Sequence, residues 1–210
     1  MSSKTPQLLP MEEVDLEEAV CIEIWGNPQD DMQRILMERD RTPEAVSKLL
    51  GRRRKTFLHD QDATFLKVVD PATKGIMAWA TWHYCPALSG EEVANGPVAL
   101  EWPLPQWYSP LQKYRYEVMK GRPHYLLGMI VTSPDYRRRG AASLLLQWGI
   151  DKADQRGVEI YLESSLAGTP LYEKFGLRTL KVFNFDMAQL GYEGIDTHTC
   201  MLRPVIEQDR

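Results

Sequence analysis

Between Pro123 and Pro134 the chain reads His124-Tyr-Leu-Leu-Gly-Met-Ile-Val131-Thr-Ser, a near-continuous apolar run. A strand that is apolar on both faces is buried on both, so this run predicts a central strand of a sheet. Gly128 within it removes packing and predicts a bulge or a close approach by another backbone. An arginine-rich turn follows, Pro134-Asp-Tyr-Arg137-Arg138-Arg139-Gly140. From Gly140 or Ala141 a helix places Ala142, Leu146, Ile150 and Ala153 on one face and stops at Gly157. Val158 to Glu163 is the next strand. A strand, a helix and a strand in so short a span predict a parallel βαβ unit with a right-handed crossover, and this constrains the fold more than any other feature.

The flanking segments fill in a mixed α/β protein. Residues 1–12, with Pro6 and Pro10, read as a polar, flexible lead. Val14, Ala19, Ile22 and Trp25 recur at helical spacing over Glu12 to Trp25. Gly26-Asn27-Pro28 breaks that pattern, and Asp30 or Asp31 begins a further helix. Thr42-Pro43-Glu44 supplies an N-cap, a first helical residue and an acidic first turn for a helix through Leu50, which Gly51 ends. The run Arg52 to Lys55 then reads as a solvated helix exit; a nuclear-import or phosphate-binding patch is the sharper alternative. Ala63 to Val69 and Ile76 to Tyr84 are β-type runs joined by a turn-rich Asp70 to Gly75, so they predict an antiparallel hairpin. Residues 86–123 form an irregular insertion interrupted by Pro97, Pro103, Pro105 and Pro110, with a helix around Leu111 to Met119. A short helix at Leu171 to Phe175 and strands at Arg178 to Asp186 and Thr197 to Leu202 complete the chain.

Size and charge narrow the function classes. At 210 residues the chain suits one domain and one active site. A formal net charge of -4 does not favour nucleic acid or an anionic membrane, and no apolar run has the length of a membrane span. Three scattered cysteines, Cys21, Cys85 and Cys200, suit reduced thiols, and none has metal-ligand spacing to another cysteine or to a histidine. The start lacks the pattern of a secretory signal, so the expectation is a cytoplasmic protein, with a nuclear location left open, that uses no metal.

The turn before the long helix has the chemistry of an anion site. A helix N-terminus exposes backbone N–H groups and a partial positive charge, and arginines beside it add charge-assisted hydrogen bonds to phosphate oxygens. Arg137, Gly140 and Ala142 here resemble the acetyl-CoA motif of the GNAT superfamily of N-acetyltransferases, Arg/Gln-x-x-Gly-x-Gly/Ala. Downstream, Ser165-Leu-Ala-Gly168-Thr-Pro-Leu171-Tyr172-Glu-Lys-Phe175-Gly176-Leu177 resembles the family's second signature, Asn-x-x-Ala-x-x-Leu-Tyr followed by Gly-Phe. Ser165 stands for the asparagine, Gly168 for the alanine and Leu177 for the phenylalanine. The two signatures cover the core cofactor region 124–180 in the family's order, and the resemblance is nearest to a fungal branch with a long insertion before the cofactor strand.

That resemblance implies a central, mostly antiparallel mixed sheet with one parallel βαβ cofactor unit and flanking helices. It implies acetyl-CoA as co-substrate and a primary amine, on a small molecule or a peptide, as acceptor. Cofactor contacts fall on Met129, Ile130 and Val131 of the cofactor strand, on Arg137, Arg138, Arg139, Gly140, Ala141 and Ala142, and on Ser165 and Tyr172. Tyr172 takes the position of the general acid for the departing thiolate. Glu163 and His124 are the candidate bases, with His83 third, and Trp79 and Trp82 either line an amine pocket or pack the core. Two other classes remain: a CoA-binding or protein-interaction module that has lost catalysis, and a nicotinamide-binding Rossmann domain, which lacks its Gly-x-Gly-x-x-Gly spacing here.

Overall fold

A computed structural model of the chain describes residues 5–26, 42–96 and 105–206, with the side chains of residues 26, 105–108 and 190 left aside. The helix expected from Asp30 or Asp31 falls on residues 27–41, outside the described residues. The elements in chain order are β1 (Gln7–Pro10), α1 (Leu16–Gly26), α2 (Pro43–His59), β2 (Ala63–Val69), β3 (Ile76–Cys85), α3 (Gly90–Asn95), α4 (Pro105–Met119), β4 (His124–Thr132), α5 (Ala141–Arg156), β5 (Glu159–Ser165), α6 (Thr169–Lys174), β6 (Arg178–Asp186) and β7 (Ile195–Arg203). The strands form a seven-stranded mixed sheet in the order β1-β2-β3-β4-β5-β7-β6. Neighbours β1 and β2, β2 and β3, β5 and β7, and β6 and β7 pair antiparallel, while β4 and β5 run parallel. The expected mixed sheet with one parallel βαβ unit is therefore the fold.

The chain comprises two compact units. The first comprises residues 1–83 and 127–149, the second 84–126 and 150–210.

The first unit's core is a layer between α1, β2 and β3. Leu16, Ala19 and Ile22 of α1 pack with Phe65, Ile76 and Trp79, and Met129 and Val131 close against them. Trp79 donates its indole N–H to the Ala19 carbonyl at 2.9 Å and stacks on Phe65 with rings 5° from parallel. Trp82 is fully buried and donates to the Leu145 carbonyl at 3.2 Å. Both tryptophans are thus core residues with satisfied N–H groups, and neither lines an amine pocket.

Two sequence expectations are corrected in this unit. Residues 7–10, read as part of a flexible lead, form β1, paired residue by residue with Leu66 to Val69 of β2. A four-residue edge strand carries too little periodicity to stand out from a polar terminus. The second correction concerns Gly51, which does not end α2. Thr42 caps the helix by accepting from the Ala45 N–H, as expected, but the helix runs on to His59. A mid-helix glycine costs about 1 kcal/mol, and tertiary contacts offset it. Arg53 grips the buried Glu23 of α1, with Nε to Oε2 at 3.0 Å, and Arg54 reaches Glu13 at 2.9 Å. Phe57 meets Phe65 edge-on at 5.2 Å. The basic run therefore lies within the helix, with Arg53 and Arg54 paired to carboxylates, and is not an exit.

In the second unit Leu111 and Met119 of α4 pack on Tyr161 and Cys200, with Tyr114, Phe183 and Phe185 around them. The described parts of the insertion, residues 86–96 and 105–123, are more regular than expected. Ser89 and Glu92 close a capping box on α3, and Tyr116 of α4 donates to the Glu92 and Val93 carbonyls. Pro110 sits inside α4, where its missing N–H removes one helical hydrogen bond without ending the helix. Arg203 is buried and forks onto Asp154 of α5 at 2.6 and 2.9 Å. Helix α5 ends where expected, with Gly157 at φ 62° and the Val158 N–H donating to the Ala153 carbonyl.

Candidate active site

The turn between β4 and α5 is built from the first unit's own strands. The Ser133 N–H donates to the Met77 carbonyl at 2.9 Å, and the Tyr136 hydroxyl lies 3.0 Å from the Thr73 hydroxyl. Tyr136 in turn lies under the Arg139 guanidinium, 5.2 Å from ring centroid to carbon. The backbone then takes two left-handed steps within three residues, Arg138 at φ 61° and Gly140 at φ 82°. Glycine adopts that conformation at no steric cost, whereas an arginine there carries about 1–2 kcal/mol of strain. Strain in an exposed loop marks a geometry held for a purpose, and alternating turns of this type aim successive N–H groups into a common concavity.

Helix α5 begins at Ala141, and the Leu144 N–H is the first to bond back, to the Gly140 carbonyl. The N–H groups of Ala141, Ala142 and Ser143 precede it, so they point out of the helix start. Arg137, Arg138, Arg139 and Gly140 are all exposed beside them, while Ala141, Leu145, Leu146, Ile150 and Ala153 are buried and anchor the helix. Ala142, expected on the core face, is only half-buried. Three cations, a helix N-terminus and small residues thus meet in one turn. The arrangement can hold a diphosphate.

Gly128 on β4 has a close neighbour, as expected, but a side chain rather than a backbone. A Cβ at this position would lie 2.9 Å from Nε2 of His83 and 3.5 Å from the Thr81 carbonyl oxygen. The other ring nitrogen of His83 is 3.2 Å from Oδ2 of Asp60 at the end of α2. Met129, Ile130 and Val131 continue β4, all half-buried.

The remaining sequence candidates lie in the second unit. Tyr172 of α6 is buried, and burial pushes its phenol well above the ordinary range. It stays a proton donor at neutral pH. A Cβ on Gly168 would come within 3.0 Å of both the Tyr172 ring and the Ser164 hydroxyl. The glycine that departs from the family's alanine therefore makes room for that ring. Ser165 is exposed, and its carbonyl accepts from Ser164, Gly168 and Thr169. Its buried neighbour Ser164 escaped the sequence reading, although strand alternation from Leu162 placed it inward.

His124 is buried and Glu163 half-buried. Oε1 of Glu163 is out of solvent with no hydrogen-bond partner among the described residues, and the Arg115 guanidinium is 3.7 Å away. Burial raises this carboxyl above its ordinary range, against the pull of Arg115 and His198. His124 donates from Nδ1 to the Arg122 carbonyl at 2.9 Å, and burial holds its imidazolium form down. Opposite Glu163 on β7 stands the buried thiol of Cys200, pushed up to about 11 by burial.

A carboxyl raised on folding binds its proton more tightly in the native state, so its contribution to stability falls as pH rises from the unfolded value through the folded one. Glu163→Gln should therefore flatten the decline of the urea midpoint as pH rises above the ordinary carboxylate range, relative to the wild type. An unchanged slope would place Glu163 in a solvated environment instead.

Comparison with known proteins agrees with this geometry. Residues 100–177 match the model of the Acetyltransferase (GNAT) family. A histone acetyltransferase HPA2-related acetyltransferase from Corynebacterium glutamicum superposes with a TM-score of 0.64 at 19% identity, over 98% of this chain and 99% of that one. The ribosomal-protein-S18-alanine N-acetyltransferase from Escherichia coli gives 0.57 at 16% identity, over 98% and 97%. A protein described as "Probable acyltransferase SID5" from Ajellomyces capsulatus is 41% identical over 44 residues, which span 21% of this chain and 32% of that relative. At these identities the solved structures speak for the fold alone. Fold, motif order and matched segment agree: residues 100–177 match the GNAT family model, and the chain has the fold of acetyltransferases of that type.

Proposed function

We propose that the protein transfers the acetyl group of acetyl-CoA to a primary amine by direct attack in a ternary complex. The observation that carries this reading is the turn at Arg137 to Gly140, whose exposed cations and two left-handed residues open onto the start of α5. Backbone N–H groups of the β4 segment Met129 to Val131 are the donors for the pantetheine arm and the oxyanion, as the family resemblance implies. Ser165 supplies a further cofactor contact. Tyr172 gives its phenolic proton to the departing thiolate, a role that suits a hydroxyl held in its protonated form by burial.

The test is direct. The purified chain is mixed with acetyl-CoA and a panel of primary amines, and release of free CoA thiol is followed. Thiol should appear only with an accepted amine, and Tyr172→Phe should lower kcat by about 10²-fold with little change in acetyl-CoA affinity. Absence of acetyl-CoA binding by the folded protein would overturn the proposal. A second reading, a CoA-binding module without turnover, is favoured by the exposed Ser165 at the asparagine position, and it predicts binding with no thiol release for any amine.

A further inference from the structure

CoA carries a diphosphate and, on its ribose, a further phosphate, so a site that holds it gathers more positive charge than a helix start alone supplies. Arg137, Arg138 and Arg139 form one side of such a site. We propose that the turn between β2 and β3, residues 70–75, is its second wall: Lys74 meets a phosphate of the cofactor, and Thr73 fixes Tyr136 beneath the Arg139 guanidinium. This inference rests on the acetyl-CoA reading above, and every residue in it lies in the first compact unit.

Thr73 and Tyr136 are 63 positions apart in the chain, and the sheet brings them together. Strand β3 starts directly after the turn, and its Met77 carbonyl takes the Ser133 N–H at 2.9 Å, so the backbone ties the hairpin end to the start of the arginine loop. The turn is braced from within. Asp70 accepts from the Ala72 N–H with its carboxylate and from the Lys74 N–H with its carbonyl, both at 2.8 Å, and its own N–H donates to the Gly75 carbonyl at 3.0 Å. From the other side, Oε1 of Glu18 on α1 accepts from the Ile76 N–H at 2.8 Å. A turn held in this way has little backbone ordering left to lose when a ligand arrives.

Polar groups from three elements meet over Gly75. A Cβ there would lie 3.4 Å from the Thr73 hydroxyl and 3.7 Å from both the Tyr136 hydroxyl and Oε1 of Glu18. The Thr73 and Tyr136 hydroxyls are 3.0 Å apart, so the phenol is pinned at its outer end while its ring carries the Arg139 guanidinium, 5.2 Å from the centroid. Tyr136 is thus a positioning residue. A guanidinium resting on a fixed ring gives up fewer rotamers on meeting a phosphate than one waving in solvent.

Lys74 sits between the two residues that approach the Tyr136 hydroxyl, which places it at the edge of the arginine turn. It is exposed, and its φ is 65°. A turn that only joined two strands would be closed at lower steric cost by glycine or asparagine at that left-handed position. Lysine there puts an ammonium on a flexible stem beside Arg137, Arg138 and Arg139, which are exposed as well. Glu18 opposes an anion at this edge, but its Oε1 is engaged by the Ile76 N–H, and the four cations outnumber it.

Calorimetric titration of the full chain with CoA, with dephospho-CoA, which lacks the ribose phosphate, and with pantetheine tests this without turnover. Lys74→Ala should raise the CoA dissociation constant by about 5–10-fold and leave that of pantetheine unchanged within about twofold. A loss confined to CoA assigns the lysine to the ribose phosphate; an equal loss with dephospho-CoA assigns it to the diphosphate. Tyr136→Phe keeps the ring and removes only the hydroxyl, so it should weaken CoA binding by about 3-fold. That loss should vanish in an Arg139→Ala background, because the hydroxyl acts through the guanidinium. Unchanged CoA affinity in either variant, a loss as large for pantetheine as for CoA, or a Tyr136→Phe effect that persists without Arg139 would defeat the second wall. Failure of the wild type to bind CoA would remove the acetyl-CoA reading instead.

Discussion

Replacing Arg137 and Arg139 together by alanine is expected to raise the acetyl-CoA dissociation constant by about 10²-fold or more, with a smaller effect on affinity for pantetheine, which has no diphosphate. A hydrogen bond to a charged group contributes about 1.5–3 kcal/mol. Both side chains are exposed, so screening reduces each contribution toward the lower end of that range. Two such contributions give the stated magnitude. Calorimetric titration with CoA and with pantetheine separates the phosphate contribution from the rest, and the double variant should also show a weaker dependence on salt. Loss of the Arg139 guanidinium stacked over Tyr136 costs the fold only about 0.5–1 kcal/mol at an exposed site. Equal affinity of variant and wild type for CoA would move the diphosphate away from this turn.

The second large effect is on stability. Gly149→Ala in the middle of α5 would, by helix propensity alone, stabilise the protein by about 0.8–1.0 kcal/mol. Here the opposite sign is expected. A Cβ at Gly149 would fall inside contact distance of three carbons of the Trp82 indole ring, which is fully buried and tied through its N–H to the Leu145 carbonyl. The ring has nowhere to move without breaking that bond or displacing the core. Overpacking of this kind costs about 1–3 kcal/mol, so the melting temperature should fall by several degrees, at about 2–4 °C per kcal/mol for a protein of this size. A stabilised Gly149→Ala variant would show that Trp82 repacks freely. The sign of the change, not only its size, is diagnostic.

Sequence and structure agree where the signal is local. The apolar run 125–131, the arginine-rich turn and the helical spacing after Ala141 each lie within one stretch of chain, and β4, α5 and β5 follow them within a residue or two. Thr42 announces its cap through side-chain chemistry that acts three residues away. Where the deciding partner is distant, local reasoning failed in identifiable ways. Gly51 reads as a stop because the pairing of Arg53 with Glu23 spans 30 residues. Residues 7–10 read as a lead because their hydrogen-bond partners are on β2. Prolines made residues 86–123 look irregular, although Leu111 and Met119 seat α4 on the β5 and β7 core.

The candidate site divides along the same line. Sequence alone determined the arginine-rich turn before α5 and the place of Tyr172 in the short helix, because a helix start, a positive-φ glycine and clustered arginines are properties of neighbours in the chain. Only the tertiary structure decided that Trp79 and Trp82 belong to the core, that His124 is buried and Glu163 half-buried beside Arg115, and that Asp60, His83 and Gly128 converge. Periodicity and turn chemistry are set by bonds a few residues apart. Convergence of groups 23 and 45 positions apart depends on the path the strands take through the sheet, which no local pattern encodes.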